Sequence, residues 1–437
     1  MELIEKVLDY SNVSRAFKQV TANKGSAGVD GLKTTELKAY MQENWQGIKQ
    51  EIIKGTYKPD TVLGVEIPKS NGGKRLLGIP TVIDRLIQQS VHQVLYPMYD
   101  VEFSEYSYGF RVGKNAHQAV LQAQSYINQG YQYVLDFDLK SFFDIVNHDY
   151  LMSLLYRKIK DRMLLKLIRR YLQSGILLNG LSQQRERGTP QGSPLSPLLS
   201  NIILNELDKE LARRGLRFVR YADDFSIFVK SKRASERVKR GITKFVEQKL
   251  HLKINTEKSA IRRPQKYFIL GYGFVPTYKK GERGKYNLRV NPNSFKRLKQ
   301  KIKELTRKTS PIPLSERLIR LEQLTRGWIN YYRFAHIVGK LKELDTWVRN
   351  RLRYCIWHDW KKPNKRMRSF IRLGIEQGQA YSWSRTRMGG WAVAQSPMMK
   401  TTVTISRLEQ RGYKSFSYYY STACKSVPKM QLKFNFA

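Results

Sequence analysis

Residues 218–229 read FVRYADDFSIFV, and the fold turns on how this stretch is read. Apolar residues lie on both sides of a polar centre, which predicts a strand, a tight turn and a second strand. The centre holds Asp223 and Asp224, two adjacent carboxylates. Neighbours along an extended strand point to opposite faces, so both reach one place only if the turn reorients one of them. Read alone, an Asp–Asp pair here is a polar hairpin turn, because Asp favours turns.

Two further segments change that reading. In YQYVLDFDLKSFFD (131–144), Tyr133, Leu135, Phe137 and Leu139 alternate with Asp136, Asp138 and Lys140, the period of a strand. Taken alone, Asp138 is an edge-strand carboxylate paired with Lys140 or an arginine. Beside the Asp223 hairpin it would bring two or three carboxylates together. That is the donor set of a two-magnesium phosphoryl-transfer site, hard oxygen ligands with room for water and phosphate oxygens. The other segment, GTPQGSPLSPLLSNIIL (188–204), is a rigid Gly/Pro loop leading into an apolar helix. Its small residues let a nucleotide or template approach closely, although Ser193 or Ser196 capping a core helix is the plainer reading.

Composition agrees with a polyanion partner. The 437 residues carry 79 Lys+Arg against 36 Asp+Glu, a formal charge of +43. So much like charge repels itself unless a partner such as nucleic acid relieves it. From Gly281 onward basic residues outnumber acidic ones more than threefold, against less than twofold before it. With 41% hydrophobic residues, a real core forms and global disorder is excluded. Cys355 and Cys424 are the two cysteines, too few for a disulfide framework or a Cys-rich zinc module. Cys355 is expected as a core thiol, and His148 as a local structural or capping group. The start lacks the apolar stretch of a signal peptide and no run is long enough for a membrane helix, so a soluble, cytoplasmic protein is expected.

Along the chain, residues 1–60 read as helices interrupted by the glycine-rich NKGSAGVDG (23–31). The middle alternates strands and helices: VLGVEIPK and KRLLGIP flank a hairpin loop, and KYFILGYGFVP is a second strand pair. From about Ser294 the pattern is helical. Aromatic residues such as Trp328 and Trp357 sit at core spacing, with arginines between them for a phosphate-facing side.

Taken in order, IPKSNGGKRLLGIPTVIDRLIQQ (67–89), YSYGFRVGKNAHQA (106–119), DLKSFFD, GTPQGSPLSP, RYADD, LKINTEKS, FILGYGF, RGWINYYRF and LRYCIWHDWKK resemble the successive blocks of the reverse transcriptase/maturase encoded by group II introns. The resemblance spans nearly the whole chain. It implies an α/β right-hand polymerase with fingers, palm and thumb, a helical N-terminal extension and a small basic C-terminal domain. The expected boundaries are 1–60 for the extension, 61–280 for fingers and palm, 281–368 for the thumb and 369–437 for a DNA-binding domain. No Cys/His-rich endonuclease module is expected, as in small bacterial introns of the C class. Val112 and Ser193 stand where many relatives carry proline and glycine.

Residue by residue, the resemblance implies that Asp138 and Asp223 bind two Mg2+ ions, with Leu139 among the ligands, Asp224 completing the cluster and Mn2+ able to substitute. Lys69 and Arg75 would hold the triphosphate of the dNTP, and Phe143 would crowd a ribose 2′-hydroxyl. Gln191 and Gly192 would pack beside the templating pair, and Lys258 would act as general acid near the leaving pyrophosphate. Leu270, Gly271 and Tyr272 would grip the primer end. The implied partners are an RNA template with a DNA or RNA primer, dNTPs, group II intron RNA and target DNA, with no membrane. The implied function is RNA-directed DNA polymerase, with a maturase role in splicing and retrohoming. A domesticated relative serving defence or repair, or a catalytically silent maturase, are the alternatives.

Overall fold

The computed structural model describes residues 2–68, 72–278, 280–282 and 284–425. The chain forms two compact units, Met1–Pro264 and Gln265–Ala437.

The first unit opens with helices Leu3–Val7, Tyr10–Ala22 and Leu37–Ile53. The Asp9 carboxylate starts the second helix by accepting the Ser11 amide at 2.9 Å, satisfying an amide that the helix cannot. That helix buries Val13, Ala16 and Val20. Its Asn12 side chain donates to the carbonyls of Val7 and Ser90, each at 3.0 Å, and Ser90 lies on helix Val82–Asp100. The N-terminal extension is therefore stitched into the core of this unit. Its glycine-rich loop packs closely too: a Cβ on Gly28 would fall 2.7 Å from the Thr81 backbone.

The strands of this unit are β1 (Val62–Pro68), β2 (Lys74–Ile79), β3 (Tyr133–Phe137), β4 (Ile176–Leu178), β5 (Leu181–Gln183), β6 (Arg217–Tyr221), β7 (Asp224–Val229) and β8 (Ala260–Arg262). They form two sheets, ordered β2-β1-β4-β5 and β6-β7-β3-β8. The β1–β2 and β6–β7 hairpins and β3 lie where the sequence predicts them; β4 and β5 were not anticipated. In the second sheet β3 is central and antiparallel to both neighbours. Its inner face carries Leu135 and Phe137, and Phe137 stacks on Phe225 of β7 with ring centres 4.8 Å apart. Helix Ser196–Arg213 adds Leu199, Ile203 and Leu207 to this core.

The second unit holds a sheet of β9 (Phe268–Ile269), β10 (Tyr272–Pro276) and β11 (Tyr286–Val290), ordered β11-β10-β9. Three longer helices follow, Pro292–Leu305, Leu314–Tyr332 and Val338–Asp359, and then short helices up to Phe416–Lys425. Buried Arg317 organises the link between the first two by donating to the carbonyls of Leu305, Arg307, Ser310 and Ile312 at 2.6–3.0 Å. Buried Cys355 lies on the third helix and its thiol donates to Thr306.

The compact division falls at Pro264, earlier than the boundary at 280 expected from sequence. The reason is pairing: β10 joins β9 and β11 rather than the β3 sheet. Residues after 368 do not separate either. The Asp345 carboxylate in the middle of helix Val338–Asp359 accepts the amides of Phe416 and Ser417 at 2.7 and 3.0 Å, anchoring the last described helix to the body of this unit.

Candidate active site

The site is built where β3 leaves its sheet beside the β6–β7 hairpin. Phe137 pairs with Phe225. One step further along this antiparallel register sets Asp138 across from Asp224, and directly opposed residues share a face. Like charges in that relation repel, so the arrangement calls for a cation between them.

The hairpin itself turns in two residues, since Tyr221 already pairs with Asp224. Ala222 has φ +57° while Asp223 keeps a negative φ. Positive φ at the first turn position alone is the mark of a type II′ turn. Glycine is the usual residue there, so Ala222 holds a conformation that its surroundings must enforce.

A third segment closes the site. The loop before β8 lies against Asp138: the Asn255 amide donates to the Asp138 carbonyl at 2.8 Å, and the Asn255 side chain donates to Oδ2 at 2.9 Å. The Asp138 amide donates to Ser259 Oγ at 3.0 Å, and Lys258 Nζ lies 3.4 Å from Oδ2. Leu139 forms an isolated bridge with Ile254, flanked by bonds from Asn255 to Asp138 and from Lys140 to Lys253. In that pattern Leu139 directs its own carbonyl away from Ile254, to the side on which β7 and Asp224 stand.

Electrostatics mark the place. Burial pushes the Asp223 carboxyl above its ordinary range; the Asp138 charge adds to the rise and the Arg75 guanidinium opposes it. Asp224 is pushed well above the ordinary carboxylate range, first by the protein packed around it and then by the charges of Asp223, Asp138 and Asp136, although its surface stays open to solvent. Among the described residues no three His, Cys, Asp or Glu side chains stand close enough to hold a metal by themselves. The donor set still fits Mg2+, which is held by one or two carboxylates and completes its shell with water and phosphate oxygens. Asp138, Asp223 and the Leu139 carbonyl are the groups that would hold it.

Arg75 lies on β2 opposite Ile67, within electrostatic reach of Asp223, while Lys69 lies outside the described residues. β2 is docked on the Gly/Pro loop that begins at Gly188: the Gly78 amide donates to the Gln191 carbonyl at 2.7 Å. Gly192 has φ +119° and a Cβ there would stand 2.7 Å from the Gly78 oxygen. Ser193 and Ser196 share a hydroxyl hydrogen bond of 2.8 Å, and Ser196 Oγ donates to the Pro190 carbonyl. Of the two phenylalanines after Asp138, Phe142 enters the core and Phe143 stays half-buried. The Phe143 carbonyl accepts the Thr189 amide at 2.6 Å, which ties it to the same loop. His148 is buried and its Nε2 lies 2.7 Å from the Gly188 carbonyl, a structural position.

Leu270, Gly271 and Tyr272 belong to the second unit. Leu270 (φ +50°) and Gly271 (φ +79°) form the two-residue turn between β9 and β10. Tyr331 Oη donates to the Leu270 carbonyl at 2.7 Å. The Tyr272 ring is fully buried and its hydroxyl donates to the Tyr331 carbonyl, so Tyr272 anchors the hairpin and its side chain cannot touch a primer. Any grip on the primer would come from the backbone of this turn.

Sequence reasoning assigned no role to Arg220, although it is the first residue of the quoted RYADD. Its side chain and that of Asp208 are both 0% exposed. Nε donates to both Asp208 oxygens at 2.9 and 3.0 Å, and Nη2 donates to Oδ2 at 2.6 Å. Nη1 donates to Asn201 Oδ1 at 2.9 Å and to the Ala222 carbonyl at 3.1 Å.

Two family models match the chain. "Reverse transcriptase (RNA-dependent DNA polymerase)" covers residues 67–274 and "Group II intron, maturase-specific domain" covers residues 295–373. Protein YkfC of Escherichia coli (strain K12) is 32% identical over 304 residues, 60% of this chain and 80% of its own. The chain belongs to the group II intron reverse transcriptase/maturase family. Group II intron-encoded protein LtrA of Lactococcus lactis subsp. cremoris is 31% identical over 323 residues, 59% of this chain and 54% of LtrA, so the chain spans about half the length of that relative. A chain of a solved "Partial Cas6-RT-Cas1--Cas2 complex" is 27% identical, covers 56% of this chain and 43% of its own, and has a TM-score of 0.38. The reverse transcriptase region encloses Arg75, the carboxylates, Lys258 and the Leu270–Tyr272 hairpin, and the maturase region covers the helices from Phe295 to Leu373. Among the described residues no helix is long and apolar enough to cross a membrane.

Proposed function

We propose that this family member extends a DNA or RNA primer on an RNA template by two-metal phosphoryl transfer. We further propose that it binds group II intron RNA and aids its splicing and retrohoming. The observation that carries the polymerase reading is the register that opposes Asp138 and Asp224 beside the Asp223 turn, with Arg75 within electrostatic reach. Bound Mg2+ would activate the 3′-hydroxyl and stabilise the leaving pyrophosphate. Mn2+ would substitute in the same ligand set.

The chain's own groups supply the rest. Asp138 is held by Asn255 and Ser259, so its carboxylate is oriented before a substrate arrives. Arg75 offers a planar fork to triphosphate oxygens, which a guanidinium contacts bidentately. Phe143 closes the sugar pocket against a 2′-hydroxyl, and Gln191 and Gly192 form the surface beside the templating pair. Lys258 gives a proton to the pyrophosphate as it leaves. The basic helices of the second unit meet backbone phosphates, and such contacts position nucleic acid without reading its sequence. They serve RNA template, intron RNA and target DNA alike, in the cytoplasm of a bacterial host.

Primer extension on a long RNA template, with dNTPs and Mg2+, tests this reading. Wild type should give long cDNA, and Asp223→Asn should give none while binding the template as tightly. No extension by either, with RNA binding intact, would leave an RNA-binding maturase on a polymerase frame. Splicing of the flanking intron at low Mg2+ tests the second role, and unchanged splicing with added protein would remove it.

A further inference from the structure

We propose that Arg220 is a positioning residue that locks the turn aiming the site's aspartates, with Asp208 and Asn201 as its anchors. This rests on the polymerase reading above.

The argument starts from the turn. The peptide joining Ala222 to Asp223 is the central peptide of the hairpin turn. Types I′ and II′ differ mainly by a flip of that peptide, which changes φ of the second residue. Here the second residue is Asp223, so a flip would swing its carboxylate. The oxygen of this peptide is the Ala222 carbonyl, and Arg220 Nη1 holds it at 3.1 Å. An alanine at φ +57° is tolerated in the left-handed helical region of a type I′ turn and strained in type II′, so an external contact must hold the second form.

The contact is rigid because every nitrogen of the guanidinium is engaged. Asp208 takes Nε and Nη2, and Asn201 takes Nη1 together with Ala222. The network reaches a second support of the same turn. Asn201 Nδ2 donates to the Gly109 carbonyl at 3.0 Å, and a Cβ on Gly109 would fall 2.3 Å from the Ala222 nitrogen. The Arg220 backbone is clamped as well: its amide donates to the Tyr106 carbonyl, and its carbonyl accepts the Tyr108 amide, both at 2.9 Å. The turn is thus held from the guanidinium side and from the 106–109 segment. Apolar side chains of similar volume often stabilise a core as well as a buried ion pair does. A fork that reaches one particular carbonyl is what such side chains would lack.

The test uses the full chain and the variant Arg220→Lys, which keeps a charge for Asp208 but has no fork for Ala222 and Asn201. Three readouts are taken: kcat and dNTP KM in primer extension, the Mg2+ midpoint of that activity, and Mn2+ binding to the protein without substrate, followed by electron paramagnetic resonance. A misplaced aspartate should lower kcat by about a hundredfold with KM little changed. It should also move the Mg2+ midpoint upward and weaken Mn2+ binding. A purely structural role would lower the melting temperature and the active fraction, but leave the Mg2+ midpoint and the Mn2+ affinity of folded protein unchanged. That result, or wild-type kcat in folded Arg220→Lys, overturns the proposal. If Arg220→Lys does not fold, Asn201→Ala gives the same three readouts with the Asp208 pair intact, and an unchanged Mg2+ midpoint there overturns it as well. Wild type lacking all extension would instead overturn the polymerase reading, and the Mn2+ measurement would still judge the turn.

Discussion

The ammonium of Lys258 stands 3.4 Å from the carboxylate of Asp138, with the lysine side chain 60% exposed. The pair joins the two segments that flank the site, and it sets a lysine where a cation belongs. Exposed ion pairs contribute little to folding, about 0–1 kcal/mol, and the role proposed for Lys258 is chemical. Lys258→Ala should therefore unfold within about 1 kcal/mol of wild type. Its rate of single dNTP incorporation should fall roughly 10²- to 10⁴-fold, the range of a lost general acid. Rapid-quench measurement of one turnover checks this. An unchanged rate would reduce Lys258 to a counter-ion of Asp138.

Phe142 and Phe143 are neighbours with opposite duties. Phe142 is 2% exposed and packs in the core, so Phe142→Ala should cost about 3–5 kcal/mol of stability. Phe143 stays half-buried, and its carbonyl already serves the Thr189 amide. Phe143→Ala should be milder for folding but should relax selection against ribonucleotides by roughly 10- to 200-fold. Competition between a dNTP and the matching rNTP on one template reads this ratio. Equal selectivity in both proteins would reassign the sugar gate.

Much of the fold was legible because period and turn chemistry are local. The alternation through Leu135 and Phe137 placed β3, and the polar centre at Asp223–Asp224 placed the β6–β7 turn to within one residue. What brings Asp138 opposite Asp224 is the register of β3 on β7, a long-range choice that local pattern does not carry. Arg220 was missed for a different reason. In a chain of charge +43, one more arginine reads as surface, and only burial against Asp208 shows otherwise. Tyr272 entered only through the resemblance, as part of a primer grip, and its burial comes from tertiary packing that the local sequence does not carry.

Gly192 tests the docking of β2 on the Gly/Pro loop. Its φ of +119° is a region that side chains rarely adopt, and a Cβ would press on the Gly78 oxygen at 2.7 Å. The Gly78 amide meanwhile holds the Gln191 carbonyl. Gly192→Ala should strain this contact by about 1–3 kcal/mol and push β2, with Arg75, away from the loop. The expected signature is a dNTP KM raised several-fold with template affinity unchanged. A KM equal to wild type would show that Arg75 and the loop act independently.

Asp84 contributes a pH dependence to the first unit. It accepts Tyr57 Oη at 2.7 Å, Thr81 Oγ1 at 2.8 Å and the Asp60 amide at 3.1 Å. Burial nevertheless outweighs these bonds and raises its carboxyl from 3.8 to about 6. A carboxyl that holds its proton more tightly when folded adds stability at low pH, and that contribution is lost as pH rises from 3.8 through about 6. Asn at this position does not titrate; it lacks one acceptor oxygen, which costs the variant a fixed amount at every pH. The stability of wild type minus that of Asp84→Asn should therefore be largest near pH 4 and fall, on the order of 2–3 kcal/mol, by neutral pH. Urea unfolding of both proteins at acidic and neutral pH measures the difference directly. A difference that stays flat across this window would mean that the three hydrogen bonds keep Asp84 ionised in the folded protein.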